Sequence, residues 1–70
     1  MKRLTREREK KGWSKNELAR QAQLNPSTVS LIEAGRLQPY PVQLVKLTAA
    51  LGLPVSDGDL LLEEVDDYAG

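Results

Sequence analysis

Apolar positions in this chain return at helical spacing, and no segment shows the alternation of a strand. Polar capping and stop signals divide the pattern. Residues 3–11 are polar and rich in good helix formers, and Gly12 follows as a natural C′ residue. Ser14 opens a second helix, with Glu17 three residues on to complete a capping box; Trp13 and Leu18 stand at the N′ and N4 places of a hydrophobic staple. A third helix starts the same way. Asn25 is a good N-cap, Pro26 suits N1, and Leu24 with Val29 repeats the staple spacing before Gly35 stops the helix. Pro41 suits N1 of a fourth helix carrying Leu44, Leu47 and Leu51, which Gly52 and Pro54 end. Ser56 and Asp59 form a weaker capping box for a last helix over Leu60, Leu61, Leu62 and Val65, although Gly58 in its first turn is a poor helix former. The expectation is an all-α domain over residues 1–65, a bundle of five short helices held by packing, followed by a frayed acidic tail at 66–70.

Length and composition narrow the function. Seventy residues allow one domain. With no Cys and no His, the chain has no disulfide framework, no thiolate or imidazole ligands for a metal, and no imidazole for acid–base work. No paired carboxylates are assembled by spacing either. The expectation is therefore a non-enzyme with no catalytic residue, metal, cofactor or small-molecule substrate. Asp57/Asp59 and Asp66/Asp67 read as helix-start and tail charges, because the spacing of a calcium loop and its closing Glu are absent. No apolar run approaches the ~18–20 residues of a membrane span, and the basic start at Lys2 and Arg3 runs into further charges rather than a signal-peptide core. A cytoplasmic protein is expected.

Charge changes the picture more. Ten Lys/Arg balance ten Asp/Glu, but not evenly along the chain. Residues 1–36 carry nine Lys/Arg against four Glu, a net of +5; residues 37–70 carry one Lys against six acids, a net of −5. Such asymmetry between halves is a pointer to nucleic acid, with the acidic half turned away from it.

Only Gln23, Leu24 and Asn25 join the second and third helices, the short connection of a helix-turn-helix. The runs SKNELAR at 14–20, LNPSTVSLIEAGR at 24–36 and LTAALGL at 47–53, with Pro39 between, resemble the Cro/C1-type (XRE-like) helix-turn-helix family over roughly residues 4–55. The resemblance implies a lambda repressor-like five-helix bundle that binds double-stranded DNA as a transcriptional regulator of bacterial or phage type, with residues 26–34 in the major groove. A groove about 12 Å wide admits one helix, which offers its N-terminal residues to the base edges. Those residues are Pro26, Ser27 and Thr28, with Ser30 and Leu31 one turn on, while Val29 and Ile32 face the core. Lys15 and Asn16 at the start of the second helix, and Arg36 and Gln38 after the third, are the candidate phosphate contacts; Lys10 and Lys11 could flank the backbone. The resemblance also implies an ion pair between Arg8 and Glu33 that fixes the recognition helix against the first helix.

Three positions depart from the family. Glu7 stands where an apolar residue is usual, leaving Leu4 and the Arg8 stem to hold the first helix. Gln23 takes a turn position where Gly is common. Between Pro26 and Ala34 the recognition helix has no Arg, Lys, Gln or Asn, so its side chains cannot read guanine or adenine through paired hydrogen bonds. Base reading is then modest, carried by water or by DNA shape. The leading expectation is a sequence-specific regulator, a repressor, binding as a homodimer through Leu60, Leu62, Val65 and Tyr68. The alternative is a protein-interaction module, such as an antitoxin or bridging protein built on the same scaffold.

Overall fold

Three of the four α-helices begin where the sequence supplies a cap or a proline. The computed structural model describes residues 1–66. Helix α1 spans Arg3–Lys10, α2 Lys15–Ala22, α3 Pro26–Glu33 and α4 Pro41–Leu51; a 3₁₀ helix, Val55–Leu62, follows. No strand forms among the described residues, and the architecture is an all-helical bundle. The Ser14 hydroxyl accepts from the Glu17 amide at 3.0 Å, and the Asn25 side chain accepts from the Ser27 amide at 2.9 Å. At α4, Pro41 occupies the first turn and the Gln43 side chain reaches back to the Tyr40 amide at 2.8 Å.

Two local expectations fail. Glu17 does not close a capping box: its carboxylate turns to Arg20 and Gln21 instead of back to Ser14. The last helix is not an α-helix capped at Ser56. It starts at Val55, has no side-chain cap, winds as a 3₁₀ helix and ends at Leu62, so Val65 lies beyond it. Eight residues is long for this tighter winding, whose hydrogen bonds are poorer, so packing must hold it. Leu61 supplies that by complete burial, and Gly58 sits so close to α4 that a Cβ there would lie 3.3 Å from the Leu44 Cβ.

One core joins these elements: Leu4 from α1, Leu18, Ala19 and Ala22 from α2, Val29 and Ile32 from α3, Leu47 and Leu51 from α4, and Leu61. Trp13 and Leu24 pack on it partly buried, as their staple positions require. Helix α2 packs on α3 and on α4, and the 3₁₀ helix bridges α4 and α1. Thr48 is fully buried, and its hydroxyl is satisfied by the carbonyls of Leu44 and Val45, both at 3.0 Å.

Between α2 and α3, Gln23 adopts φ 57°, the left-handed conformation that its place in the turn demands and that costs a side-chain-bearing residue roughly 1 kcal/mol. The chain ends meet in a short antiparallel contact. Lys2 bridges Glu64, the Arg3 amide donates to the Glu63 carbonyl at 2.8 Å, and the Val65 amide donates to the Met1 carbonyl at 2.8 Å. Asp66 is exposed; the rest of the expected frayed tail, including Tyr68, lies outside the described residues.

Candidate nucleic-acid interface

Helix α3 buries Val29 and Ile32 completely, and the helical period then turns the intervening residues outward. Pro26, Ser27 and Leu31 are exposed, while Thr28 and Ser30 are half-buried along the edges of the same face. Ser27 has a defined chemistry here. Its hydroxyl donates to the Asn25 Oδ1, so its proton is held and its lone pairs face solvent. A hydroxyl fixed this way accepts, which suits the amino groups that adenine and cytosine present in a major groove. Leu31, 41% exposed, offers an apolar surface suited to a thymine methyl.

Exposed cations and backbone donors stand at the start of α2 and just past the end of α3. Lys15 and Asn16 are exposed in the first turn of α2, beside the amide groups that helix geometry leaves free. At the far end of α3, Gly35 takes φ 75° and its amide donates to the Ile32 carbonyl at 3.0 Å. The Arg36 amide then donates to the Leu31 carbonyl at 2.9 Å, which closes the helix and fixes where Arg36 leaves it. Arg36 and Gln38 are exposed. Lys10 and Lys11 are engaged within the protein, Lys10 with Glu7 at 3.5 Å and Lys11 over the Trp13 ring at 5.3 Å from its centre. Glu7, the polar substitute on α1, is held between Lys10 and Arg3, the latter at 3.7 Å.

Behind the face stands a clamp between α1 and α3. Arg8 Nε donates to Glu33 Oε2 at 2.8 Å and Nη2 to Oε1 at 3.1 Å, a two-pronged pair. Arg8 Nη1 donates to the Trp13 carbonyl at 2.8 Å, so one guanidinium ties α1, the α1–α2 turn and α3 together. The side chains are 11% and 4% exposed. Thr5 adds a bond that sequence reasoning missed: its hydroxyl donates to Glu33 Oε1 at 2.9 Å. It lies one helical turn before Arg8, and that spacing was the available signal. On α2, the Arg20 guanidinium and then the Gln21 amide hold the Glu17 carboxyl below its ordinary range, and Glu17 in turn raises Arg20.

The expected dimer residues are divided. Leu60 is exposed, Leu62 is partly buried on the core, and Val65 is half-buried where its backbone pairs with Met1. More apolar surface is exposed elsewhere, at Tyr40, Val42, Val45 and Val55, around the start of α4 and of the 3₁₀ helix. Sequence reasoning missed these because α4 was read by its inward leucines alone.

Two short helices in tight apposition, the second offering a polar outer face, define a helix-turn-helix domain. A family model described as a helix-turn-helix domain matches residues 2–61, and the chain belongs to that family, of the Cro/C1 type. DNA binding is the class of activity that membership implies. No curated protein and no solved structure matches the chain. None of the described helices is long and apolar enough to cross a membrane.

Proposed function

We propose that this protein is a sequence-specific regulator of transcription, a repressor that acts in the cytoplasm by occupying duplex DNA as a homodimer. The observation that supports the reading is the outward face of α3, with Ser27 and Leu31 exposed, Lys15 sharing a groove with Ser30, and Arg36 exposed just past the end of the helix. Helix α3 lies in the major groove; Pro26, Ser27, Thr28, Ser30 and Leu31 meet the base edges. Lys15, Asn16, Arg36 and Gln38 fix the register on phosphates. Pairing is required because one module of this size covers too little DNA for strong specific binding, and two copies read half-sites about one helical turn apart. Repression follows from occupancy, since a bound dimer excludes other proteins from the same duplex.

Selection of bound duplexes from a random pool at fixed salt tests the reading. A palindromic enriched site is expected, with log affinity falling against log salt at about −0.9 per phosphate contacted. An affinity indifferent to salt overturns it. A second reading, a protein-interaction module, is favoured by the exposed apolar surface at Tyr40, Val42, Val45 and Val55. Lys15→Glu combined with Arg36→Glu separates the two: DNA binding collapses with the fold intact under the first, and binding to a protein partner survives under the second.

A further inference from the structure

Lys2 has no part in the interface described so far, yet it lies beside it. A groove between α1 and α3 is lined by Lys2, Lys15, Ser30 and Ala34, with Glu9 and the Arg8-paired Glu33 also on its wall, so the Lys2 side chain shares a cleft with one candidate phosphate contact and one candidate base contact. Its Cε and Nζ lie 3.6 and 3.8 Å from where a Cβ on Gly35 would stand. The ammonium therefore rests over the turn that delivers Arg36. In the free protein it is occupied: Nζ lies 3.1 Å from Glu64 Oε2 and donates to the Leu62 carbonyl at 3.3 Å. The two partners differ in their surroundings, the Lys2 side chain being 19% exposed and that of Glu64 69%. Glu64 is thus a carboxylate reaching in from solvent to a cation at the edge of the DNA face. Hydrogen bonding from Lys2 holds the Glu64 carboxyl below its ordinary range, so it is charged at neutral pH.

We propose that Lys2 is a further phosphate-binding residue and that Glu64 is its internal counter-ion, displaced when a DNA phosphate takes the same ammonium. The inference rests on the DNA-binding reading above. A carboxylate and a phosphate diester each bring one negative charge and oxygen acceptors, and Lys binds either as a point charge without fixed geometry. Exchange is favoured because Glu64 stands mostly in water and holds Lys2 through a single screened contact, whereas a duplex presents a dense row of phosphates. Lys2 also sits at the N-cap position of α1 in extended backbone, where its side chain can swing without unwinding the helix. Glu64 in this way lowers affinity for duplexes of any sequence by a common factor, which sets occupancy and leaves discrimination to the base-reading face.

The test is a double-mutant cycle on DNA affinity with the full chain and a selected duplex, run between about 50 and 200 mM salt, the range over which phosphate contacts show. Glu64→Gln is expected to tighten binding about three- to tenfold at the low-salt end. Lys2→Gln is expected to weaken it and to reduce the salt slope by about 0.9, one phosphate contact. With Lys2 already Gln, Glu64→Gln should bring a clearly smaller gain, because only the Met1 ammonium at 3.4 Å is then left for Glu64 to mask. Lys2→Arg should restore the slope. Circular dichroism confirms that each variant is folded, and Lys2→Met, which keeps the stem over Gly35, replaces Lys2→Gln if that variant is not. An equal gain from Glu64→Gln with and without Lys2 overturns the proposal, since it reduces Glu64 to general repulsion; so does no gain at all. A wild-type chain that fails to bind duplex in a salt-dependent way defeats the DNA-binding reading itself, a result distinct from either.

Discussion

Among the acid–base contacts that tie α1 and the residues before it to the rest of the molecule, two differ in almost every respect. At the α1–α3 clamp, Arg8 and Glu33 are nearly sealed, meet through two prongs and share further bonds with Thr5 and the Trp13 carbonyl. At the terminal clasp, Glu64 meets Lys2 through one oxygen and the Met1 ammonium, at 3.4 Å, through the other, and the acid stands mostly in water. A buried pair is weak evidence of net stability, but removing one member strands a charge where water cannot reach it. An exposed pair can lose a member with little consequence. The clamp therefore fixes geometry, and the clasp is free to exchange partners.

The comparison is most exposed to Arg8→Ala, which should cost about 3–5 kcal/mol because Glu33 is left buried and uncompensated. Arg6→Ala on the same helix should cost no more than about 0.5–1 kcal/mol; the Arg6 Nε has no partner to lose. Urea unfolding of the two variants decides, and similar losses break the account of the clamp. Thr5→Val should cost about 1–2 kcal/mol, less than Arg8→Ala because Glu33 Oε1 keeps its bond from Arg8. Gln23→Gly, remote from both contacts, should add up to about 1 kcal/mol by relieving the left-handed residue. Its gain should be additive with the loss from Arg8→Ala, and a clear drop in stability refutes the conformational argument.

The smallest effect belongs to the clasp and is read through pH. The Glu64 and Glu17 carboxyls are lowered in the folded protein from an ordinary value of 4.5. A lowered folded value means stability that is present above pH 4.5 and lost as pH falls through the lower folded value. Urea midpoints followed through that acid range should decline less steeply in Glu64→Gln than in wild type. At neutral pH the same variant should be less stable than wild type by that same small amount, and the two should converge at the acid end. A large neutral-pH loss would make the clasp a structural element like the clamp.

Much of the bundle could be read ahead because its signals are local. Ser14, Asn25–Pro26 and Pro41 mark helix starts through bonds or φ restrictions that act within four residues, and the inward turn of Val29 and Ile32 places Ser27 and Leu31 outside. The Arg8–Glu33 pair came from family resemblance, since nothing within either helix reveals its partner. The last element misled for a physical reason. Ser56 and Asp59 look like a cap, but the close approach of Gly58 to Leu44 and the burial of Leu61 select the tighter winding, and these are tertiary facts. Glu17 likewise has the right spacing for a capping box and finds better partners one turn ahead. The pairing of Val65 with Met1, and of Lys2 with Glu64, leaves no periodic trace in either segment.

The antiparallel contact between the chain ends also bears on the order of assembly. Lys2 and Glu64 are 62 residues apart, whereas α2 and α3 are joined by three. Closing the longer loop costs more chain entropy, and local contacts form first. During synthesis α2 can dock on α3 as soon as both have left the ribosome, and α1 can join through Arg8 and Glu33, while the contact between the chain ends must wait for the segment after the 3₁₀ helix. The helix-turn-helix is thus the early product of folding, and the contact that engages Lys2 is added last.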